Sequence, residues 1–220
     1  INKKDNLNII DLGINNGSFS IDVYNIYNKR INIYGVEANK EIKIDQKYPF
    51  KVYNYLISKK SGLNEKFFID ENETGSSSAI FSKKNQKFCL VPTISLYDFY
   101  ISNKLEKNGV DILKIDIEGK EYEILNKEMI SFLSKNTTQI CIEFHDFLKQ
   151  GEVFKEETLK IFKIFENYNF KRFNFSLNNG SVLFVNLQKL KINFLQNCII
   201  LFDKYRFGIL RKIKKLFLIN

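Results

Sequence analysis

The chain has 220 residues, of which 44% are hydrophobic and 27% are charged, and its formal net charge is +9. This composition is typical of a globular protein with one sizeable core, and it excludes an intrinsically disordered chain. The positive charge is concentrated near the end, because residues 186–220 contain eight Lys or Arg and one acid, Asp203. A nucleic-acid-binding surface spreads its cations over one face of the fold, so this distribution argues against a nucleic-acid partner.

The three cysteines, Cys89, Cys141 and Cys198, share no metal-binding spacing. We expect them to be reduced and the protein to be cytoplasmic. No apolar run approaches the ~20 residues that span a bilayer, and no N-terminal signal pattern is present. The first residue is Ile1 rather than an initiator methionine and lies almost at the first strand, so we expect a leading segment of the domain to be missing.

The first predicted strand, residues 8–12, is followed by a glycine-containing turn and by a helix predicted over 20–27. The turn reads Asp11-Leu-Gly-Ile-Asn-Asn-Gly17, and a strand, turn and helix in this order bind nucleotide-type cofactors. A pyrophosphate cradle requires G-x-G-x-x-G, but Asn15 and Ser18 occupy the places of its second and third glycines. The turn therefore favours S-adenosylmethionine, which has no phosphates, over NAD or FAD. The cofactor-binding residues predicted in the turn are Asp11, Gly13, Asn15 and Gly17.

A second predicted strand, residues 31–36, ends directly before an acidic residue, Glu37. An acid about 20 residues beyond the glycine turn can accept hydrogen bonds from the ribose hydroxyls of a cofactor. The alternative is an exposed carboxylate near the start of a helix predicted over 40–48. Position and spacing favour the ribose role for Glu37.

A third strand is predicted over 51–58. Two short strands, predicted over 66–69 and 88–91, flank a polar insert. Residues 70–79 of this insert have no core-forming pattern. Taken alone they indicate a solvated loop, and the alternative is a lid or substrate loop whose hydroxyls bind a polar acceptor.

The next predicted strand, residues 110–115, carries the most specific motif. It runs into Asp116-Ile-Glu-Gly119, and a helix is predicted over 121–133. With the glycine turn and Glu37, the string Leu113-Lys-Ile-Asp-Ile-Glu-Gly-Lys-Glu121 resembles the hallmark of the FkbM family of S-adenosylmethionine-dependent methyltransferases, Leu-Lys-Ile-Asp-(Val/Ile)-Glu-Gly-x-Glu. Further matches in the family's order are Gly75-Ser-Ser-Ser78, Val91-Pro-Thr-Ile-Ser-Leu96 and Cys141-Ile-Glu-Phe-His145.

This resemblance covers about residues 9–185. It implies methyl transfer from S-adenosylmethionine, and it favours the substrate-loop interpretation of residues 70–79.

The remaining predicted elements complete an alternation of strands and helices. They are helix 96–104, strand 139–144, helix 156–168, and strands 170–175 and 181–185 around the hairpin signal Asn179-Gly180. The alternation predicts an α/β fold with a parallel sheet covered by helices on both faces. The resemblance implies the specific topology, a Rossmann-like class I methyltransferase with a doubly wound, mostly parallel seven-stranded sheet and a closing antiparallel hairpin. We expect a methyltransferase domain at 1–186 and a basic amphipathic helical tail at 187–220.

Methyl transfer to a hydroxyl requires in-line positioning and a general base. Asp116, Glu118 and His145 lie at predicted strand ends, and Asp116 is favoured as a site residue that contacts the cofactor or acts as the base. His145 is the only histidine, and it is either a base or substrate contact or a capping imidazole. Glu118 and Glu143 each have an alternative role in the structure. Glu118 would hold the Gly119 turn, and Glu143 would be a strand-end partner for a lysine or for the backbone.

The same residues also form a candidate metal site. Asp116, Glu118, Glu143 and His145 offer ligands that Mg²⁺ or Mn²⁺ accepts. Because neighbouring residues on a strand point to opposite faces, we expect no required metal.

The leading hypothesis is an O-methyltransferase that acts on a sugar, a glycan precursor or another hydroxylated small molecule, and this substrate class is implied by the resemblance. The alternative from another class is a catalytically idle module that binds S-adenosylmethionine or a partner. An NAD-dependent oxidoreductase is a third hypothesis, and the glycine turn argues against it.

The tail has an apolar face opposite a basic one, which is typical of a helix. Ile209, Leu210, Ile213, Leu216 and Phe217 form the apolar face. Either this face packs on the domain or on a second copy, or residues 206–220 lie in the interface of an anionic membrane at its inner face.

Overall fold

A computed structural model describes residues 6–27, 30–69, 87–145, 152–174, 180–190, 193–196, 198–199 and 202. The chain divides into two compact units, Ile1–Asn186 and Leu187–Asn220. The strands and helices given below all belong to the first unit. In the second unit, residues 194–196 are helical.

The first unit is an α/β structure built on ten strands and six helices in its described residues. The strands are β1 (Leu7–Leu12), β2 (Ile31–Val36), β3 (Lys51–Tyr53), β4 (Leu56–Ser58), β5 (Asn64–Phe68), β6 (Phe88–Ser95), β7 (Val110–Ile115), β8 (Thr137–Glu143), β9 (Phe170–Asn174) and β10 (Ser181–Asn186). The helices are α1 (Ser18–Ile26), α2 (Leu96–Ser102), α3 (Leu105–Asn108), α4 (Glu121–Ile124), α5 (Lys127–Asn136) and α6 (Glu152–Asn167).

Seven strands form the large sheet in the order β3-β2-β1-β7-β8-β10-β9. The pairs β2–β3, β1–β2, β1–β7 and β7–β8 are parallel, whereas β10 is antiparallel to both β8 and β9. The predicted doubly wound, Rossmann-like sheet with a closing antiparallel hairpin is therefore confirmed. The strand order reverses between β1 and β7, and an open α/β sheet binds its ligand at the carboxyl ends of the strands beside such a reversal.

A second, three-stranded sheet has the order β4-β6-β5. The predicted third strand over 51–58 is in fact two strands, because β3 belongs to the large sheet and β4 to the small one. Asn54 lies between them, and its amide donates to the backbone oxygens of Glu37 and Ala38 at 2.8 and 3.0 Å. This contact turns the chain from one sheet to the other at the end of β2.

The helix predicted over 40–48 is wrong, because this segment consists of turns and irregular backbone. The Asn39 side chain accepts from the Glu41 amide at 3.0 Å, and Asp45 accepts from the Lys47 amide at 3.0 Å. Such local bonds compete with helical hydrogen bonds, and Pro49 disfavours helical backbone at Tyr48 before it.

Two other predicted helices are each divided in two. The helix predicted over 121–133 ends at Ile124 and resumes at Lys127, because Asn126 caps the second part by accepting from the Met129 amide at 2.8 Å. The helix predicted over 96–104 becomes α2 and α3, with Lys104 at positive φ between them.

The core is rich in aromatic side chains. Tyr100, Phe99, Phe144, Phe162, Phe165 and Phe184 are among the largest fully buried side chains. Phe162 makes edge contacts with Phe144 and Phe184, and Phe165 stacks on Phe184 with ring centroids 4.1 Å apart. Helix α6 is thereby fixed against the sheet at β8 and β10.

Several predictions concern residues outside the described ones. They are the insert 70–79, most of the hairpin turn before Gly180, and the tail helix with its membrane alternative at 206–220. Among the helices that the structure does describe, none combines the length and apolar character needed to cross a bilayer.

Candidate functional site

A cavity opens at the edge of the large sheet where the parallel strands β1, β2 and β7 end. Turn residues that follow these strands form one part of its wall, and apolar side chains from the small sheet and the segment before it form another. The lining residues are Gly13, Asn15, Val36, Glu37, Ala38, Tyr55, Leu56, Ile57, Phe67, Asp116, Ile117 and Glu118. The cavity lies at the reversal of strand order, where this class of sheet binds its ligands.

The glycine turn packs closely against the turn after β7. A Cβ added to Gly13, whose φ is +74°, would lie 1.8 Å from the backbone oxygen of Asp116. Asn15, a non-glycine residue, also has positive φ, at 47°. Gly13 is therefore required by contact with the protein's own backbone, whereas Gly17 lies outside the cavity lining and precedes α1 with φ 82°.

Glu37 joins the glycine turn to the end of β2. Its Oε2 accepts from the Asn15 amide at 2.9 Å, and its Oε1 accepts from the Asn39 amide at 2.8 Å. Burial raises the pKa of Glu37, and these backbone bonds counteract part of that effect. The carboxylate is thus fixed at the cavity wall, where the sequence predicts the ribose contact.

Asp11 is fully buried beneath the turn and lies outside the cavity lining. Its Oδ2 accepts from the Ser20 hydroxyl at 2.7 Å, and its Oδ1 lies 3.3 Å from Nζ of Lys114. Desolvation raises the pKa of Asp11, although Lys114 opposes this. The structure therefore places Asp11 as a support of the turn.

Lys114 connects the two turns from below. Its Nζ donates to the backbone oxygen of Gly13 at 3.2 Å and lies 3.0 Å from Oδ2 of Asp116. Burial alone would lower the pKa of Lys114, but Asp11 and Asp116 outweigh it and raise that pKa. Asp116 is thereby held at the cavity with one oxygen paired to a lysine.

His145 follows β8, and its side chain is 5% exposed. Its Nδ1 is 3.0 Å from Oε1 of Glu121, a fully buried carboxylate that also accepts from the Ile117 amide at 3.1 Å. Burial would lower the pKa of His145, but the bond to Glu121 and the charges of Glu121, Glu118 and Asp116 raise it to about 9. His145 is therefore an imidazolium near neutral pH in the protein alone.

Glu118 lines the cavity from a backbone conformation that is rare for a side-chain-bearing residue, with φ at 52°. Its Oε2 is 3.5 Å from Nε2 of His145. Burial raises the pKa of Glu118 to about 7, with His145 opposing and Asp116 adding to the shift.

The structure thus brings Asp116, Glu118 and His145 together. One ligand-type atom from each lies within 4.8 Å of the others, which makes them a group able to hold a cation. Glu143, the fourth residue that the sequence places in a candidate metal set, is exposed. The arrangement can move a proton, bind a positively charged group, or hold a metal ion.

Sequence reasoning missed two residues that support the site, Lys114 and Glu121. A lysine inside the predicted strand, two residues before Asp116 and therefore on the same face, was a signal for the first. Glu121 is the last residue of the hallmark string, but no spacing rule connects it to His145, which lies 24 residues further along the chain.

A family model described as "Methyltransferase FkbM domain" matches residues 6–172. Curated relatives include two proteins named trigger factor. The one from Mesomycoplasma hyopneumoniae strain 232 is 28% identical to this chain over 172 residues, and the one from strain J is 28% identical over 171 residues. Each match covers 72% of this chain and 36% of the relative. The chain therefore spans about a third of the length of these relatives.

Similar solved structures include methyltransferase FkbM from Methylobacillus flagellatus KT, with a TM-score of 0.46, 12% identity, and coverage of 84% of this chain and 44% of that one. An antibiotic-related methyltransferase has a TM-score of 0.33 and 14% identity, with 81% and 86% of the two chains covered. The family model spans the glycine turn, the Asp116 turn and His145, and on that match the chain belongs to the FkbM methyltransferase family.

Proposed function

We propose that the chain transfers a methyl group from S-adenosylmethionine to a hydroxyl group. The cavity at the ends of β1, β2 and β7 carries this proposal, because the Gly13 turn, Glu37 and Asp116 meet there. Family membership supports methyl transfer, and the geometry supports the choice of cofactor and of acceptor chemistry.

The cavity suits a nucleoside with a cationic tail. Apolar side chains such as Ile57 and Phe67 would hold the adenine, and Glu37 would accept from the ribose hydroxyls. Asp116 and Glu118 offer negative charge for the ammonium and sulfonium groups. When bound, S-adenosylmethionine supplies an electrophilic methyl group on sulfur.

The chain's own residues have two tasks in the proposed reaction. They must position the acceptor oxygen in line with the methyl group, and they must accept the hydroxyl proton. Asp116 lies at the cavity and is held by Lys114, so it is the first candidate for the proton acceptor. Glu118 and His145 adjoin it, and the imidazolium of His145 would stabilise negative charge that develops on the acceptor oxygen.

We infer an acceptor of the sugar or glycan-precursor class, and a cytoplasmic location. Polar groups at the cavity suit a hydroxylated acceptor. The cysteines Cys89, Cys141 and Cys198 are free, which is consistent with a reducing compartment. An idle binding module is the alternative, and turnover distinguishes it from an enzyme.

The test is conversion of S-adenosylmethionine to S-adenosylhomocysteine in the presence of a panel of nucleotide sugars. We expect acceptor-dependent turnover by the full chain and a loss of roughly 10²-fold or more in Asp116→Asn. The exposed Glu166, near the end of α6, provides the matched control, and Glu166→Gln should turn over like the wild type. Equal turnover in Asp116→Asn and the wild type would remove Asp116 from the reaction.

A further inference from the structure

Three ligand-type atoms converge beside the cavity. Nε2 of His145 lies 3.6 Å from Oδ1 of Asp116 and 3.5 Å from Oε2 of Glu118. These separations exceed the ordinary hydrogen-bond range of about 2.7–3.2 Å. Two ligands placed about 2.1 Å from one tetrahedral ion are about 3.4 Å apart. The two separations from Nε2 are thus within a few tenths of an ångström of those around a shared cation, and all three ligand-type atoms lie within 4.8 Å of one another.

Two of these ligands, Asp116 and His145, each have a second polar atom that contacts a further side chain, that of the half-buried Lys114 or the fully buried Glu121. Oδ2 of Asp116 is 3.0 Å from Nζ of Lys114, and Nδ1 of His145 is 3.0 Å from Oε1 of Glu121. A metal-binding histidine almost always donates its other ring N–H to a carboxylate or carbonyl, which fixes its tautomer. The fully buried Glu121 supplies this contact, so Nε2 is directed to the side of Asp116 and Glu118.

The charge balance around the cluster also favours a cation. Among the residues that the structure describes, four carboxylates, those of Asp11, Asp116, Glu118 and Glu121, each lie within 3.6 Å of Lys114 or His145, so carboxylates outnumber these two positive groups. Oε2 of Glu121 is buried and has no hydrogen-bond partner among the described residues. A divalent ion that displaced the proton from Nε2 of His145 to solvent would offset the excess negative charge in this partly desolvated place.

We propose that Asp116, Glu118 and His145 bind a divalent transition-metal cation, with Glu121 and Lys114 orienting two of the ligands. One imidazole and two carboxylates suit Zn²⁺ or Mn²⁺. The sequence predicts no required metal, because adjacent residues on a strand face opposite ways. Asp116 and Glu118 are two residues apart in the turn after β7, and both line one cavity.

The inferred cation deepens the proposed function and rests on it. A hydroxyl bound to such an ion becomes a stronger acid, so the acceptor would lose its proton without a strong base. Asp116 and Glu118 would then act as ligands, and water could take the proton.

The experiment is calorimetric titration of the chelator-treated full chain with Mn²⁺ or Zn²⁺, without S-adenosylmethionine. We expect binding in the wild type, at least 10-fold weaker binding in Glu118→Gln, and a loss of 10- to 100-fold in Glu121→Gln, which removes the support of His145. Glu166→Gln, which removes an exposed carboxylate near the end of α6, should bind like the wild type. Wild-type affinity weaker than ~1 mM, or equal affinity in Glu118→Gln and the wild type, would overturn the inference.

If the variants do not fold, NMR spectroscopy of the wild-type protein tests the same site. His145 is the only histidine, so its imidazole signals in NMR spectra need no further assignment. Stoichiometric Zn²⁺ should shift them, and unchanged signals would refute the site. S-adenosylmethionine binding is measured separately, in the presence of a chelator. If no cation binds, the proposed function is still supported by S-adenosylmethionine binding. If S-adenosylmethionine does not bind, the result for the cation still holds.

Discussion

At the scale of single residues, the site depends on side chains that do not reach the cavity. Lys114 ties the Gly13 turn to Asp116, and Glu121 holds both His145 and the backbone of Ile117. Glu121 is fully buried and Lys114 is half-buried, and both have charged partners, so removing either would leave a charge uncompensated. The cavity residues can therefore be replaced at a smaller structural cost than the residues beneath them.

Gly13 is a position where stability and function are coupled. Gly13→Ala would place a Cβ 1.8 Å from the Asp116 oxygen at a φ of +74°, so the Asp116 turn must move. Overpacking costs about 1–3 kcal/mol and positive φ about 1 kcal/mol, so we expect a loss of about 2–4 kcal/mol in the free energy of unfolding, measured by urea denaturation, together with weaker cofactor binding.

The matched control for Gly13 is Gly62. Its φ is similar, +79°, but an added Cβ meets no described heavy atom within 4 Å. Gly62→Ala thus reports the cost of positive φ alone, about 1 kcal/mol. If the two variants lose equal stability, the Cβ added at Gly13 does not clash with the Asp116 backbone oxygen.

At the scale of elements, a polar network fastens α4 to the small sheet. Nζ of Lys120 is 2.7 Å from Glu65 and 2.8 Å from Glu123, and the Ser58 hydroxyl lies 2.6 and 2.9 Å from the same two carboxylates, so its one proton is shared between them. This network lies directly after the Gly119 turn. It therefore links the part of the chain that carries Asp116 and Glu118 to β4 and β5.

The network predicts a pH-dependent contribution to stability. Burial would raise the pKa of Glu123, but the bonds from Lys120, Lys59 and Ser58 outweigh it and lower that pKa below its ordinary value of 4.5. A lowered carboxyl pKa means that the contribution is present above pH 4.5 and is lost as the pH falls through the folded-state value. Unfolding of the wild type and Glu123→Gln should therefore differ at pH 7 by less than about 1 kcal/mol, given the partial exposure of Glu123. Urea denaturation across this pH range measures the difference, and one that persists unchanged at pH 3 would contradict the prediction.

At the scale of the whole molecule, the sequence predicted the sheet well and the segments around it less well. Strands β1, β2 and β7 were evident because apolar runs end at Asp11, Glu37 and Asp116, and parallel strands bring their ends together. The helix predicted over 40–48 failed because Asx turns and Pro49 outweigh its apolar spacing. The spacing of apolar residues does not show which of these local interactions is stronger.

The candidate site was predictable in its residues and only partly in their arrangement. Gly13, Asn15, Glu37, Asp116 and Glu118 line the cavity, but Asp11 faces the interior. The direction of a strand-end side chain depends on which neighbour offers it a partner. The partners Ser20 and Lys114 come from different elements, and their contact with Asp11 exists only in the folded chain.

The most direct test of the account is calorimetric titration of the full chain with S-adenosylmethionine, S-adenosylhomocysteine and NAD. We predict that the first two bind and NAD does not. Glu37→Ala should weaken S-adenosylmethionine binding about 10- to 100-fold, or 1.5–3 kcal/mol, while the exposed control Glu41→Ala binds like the wild type. Binding of NAD in place of S-adenosylmethionine, or unchanged affinity in a folded Glu37→Ala, would contradict the account.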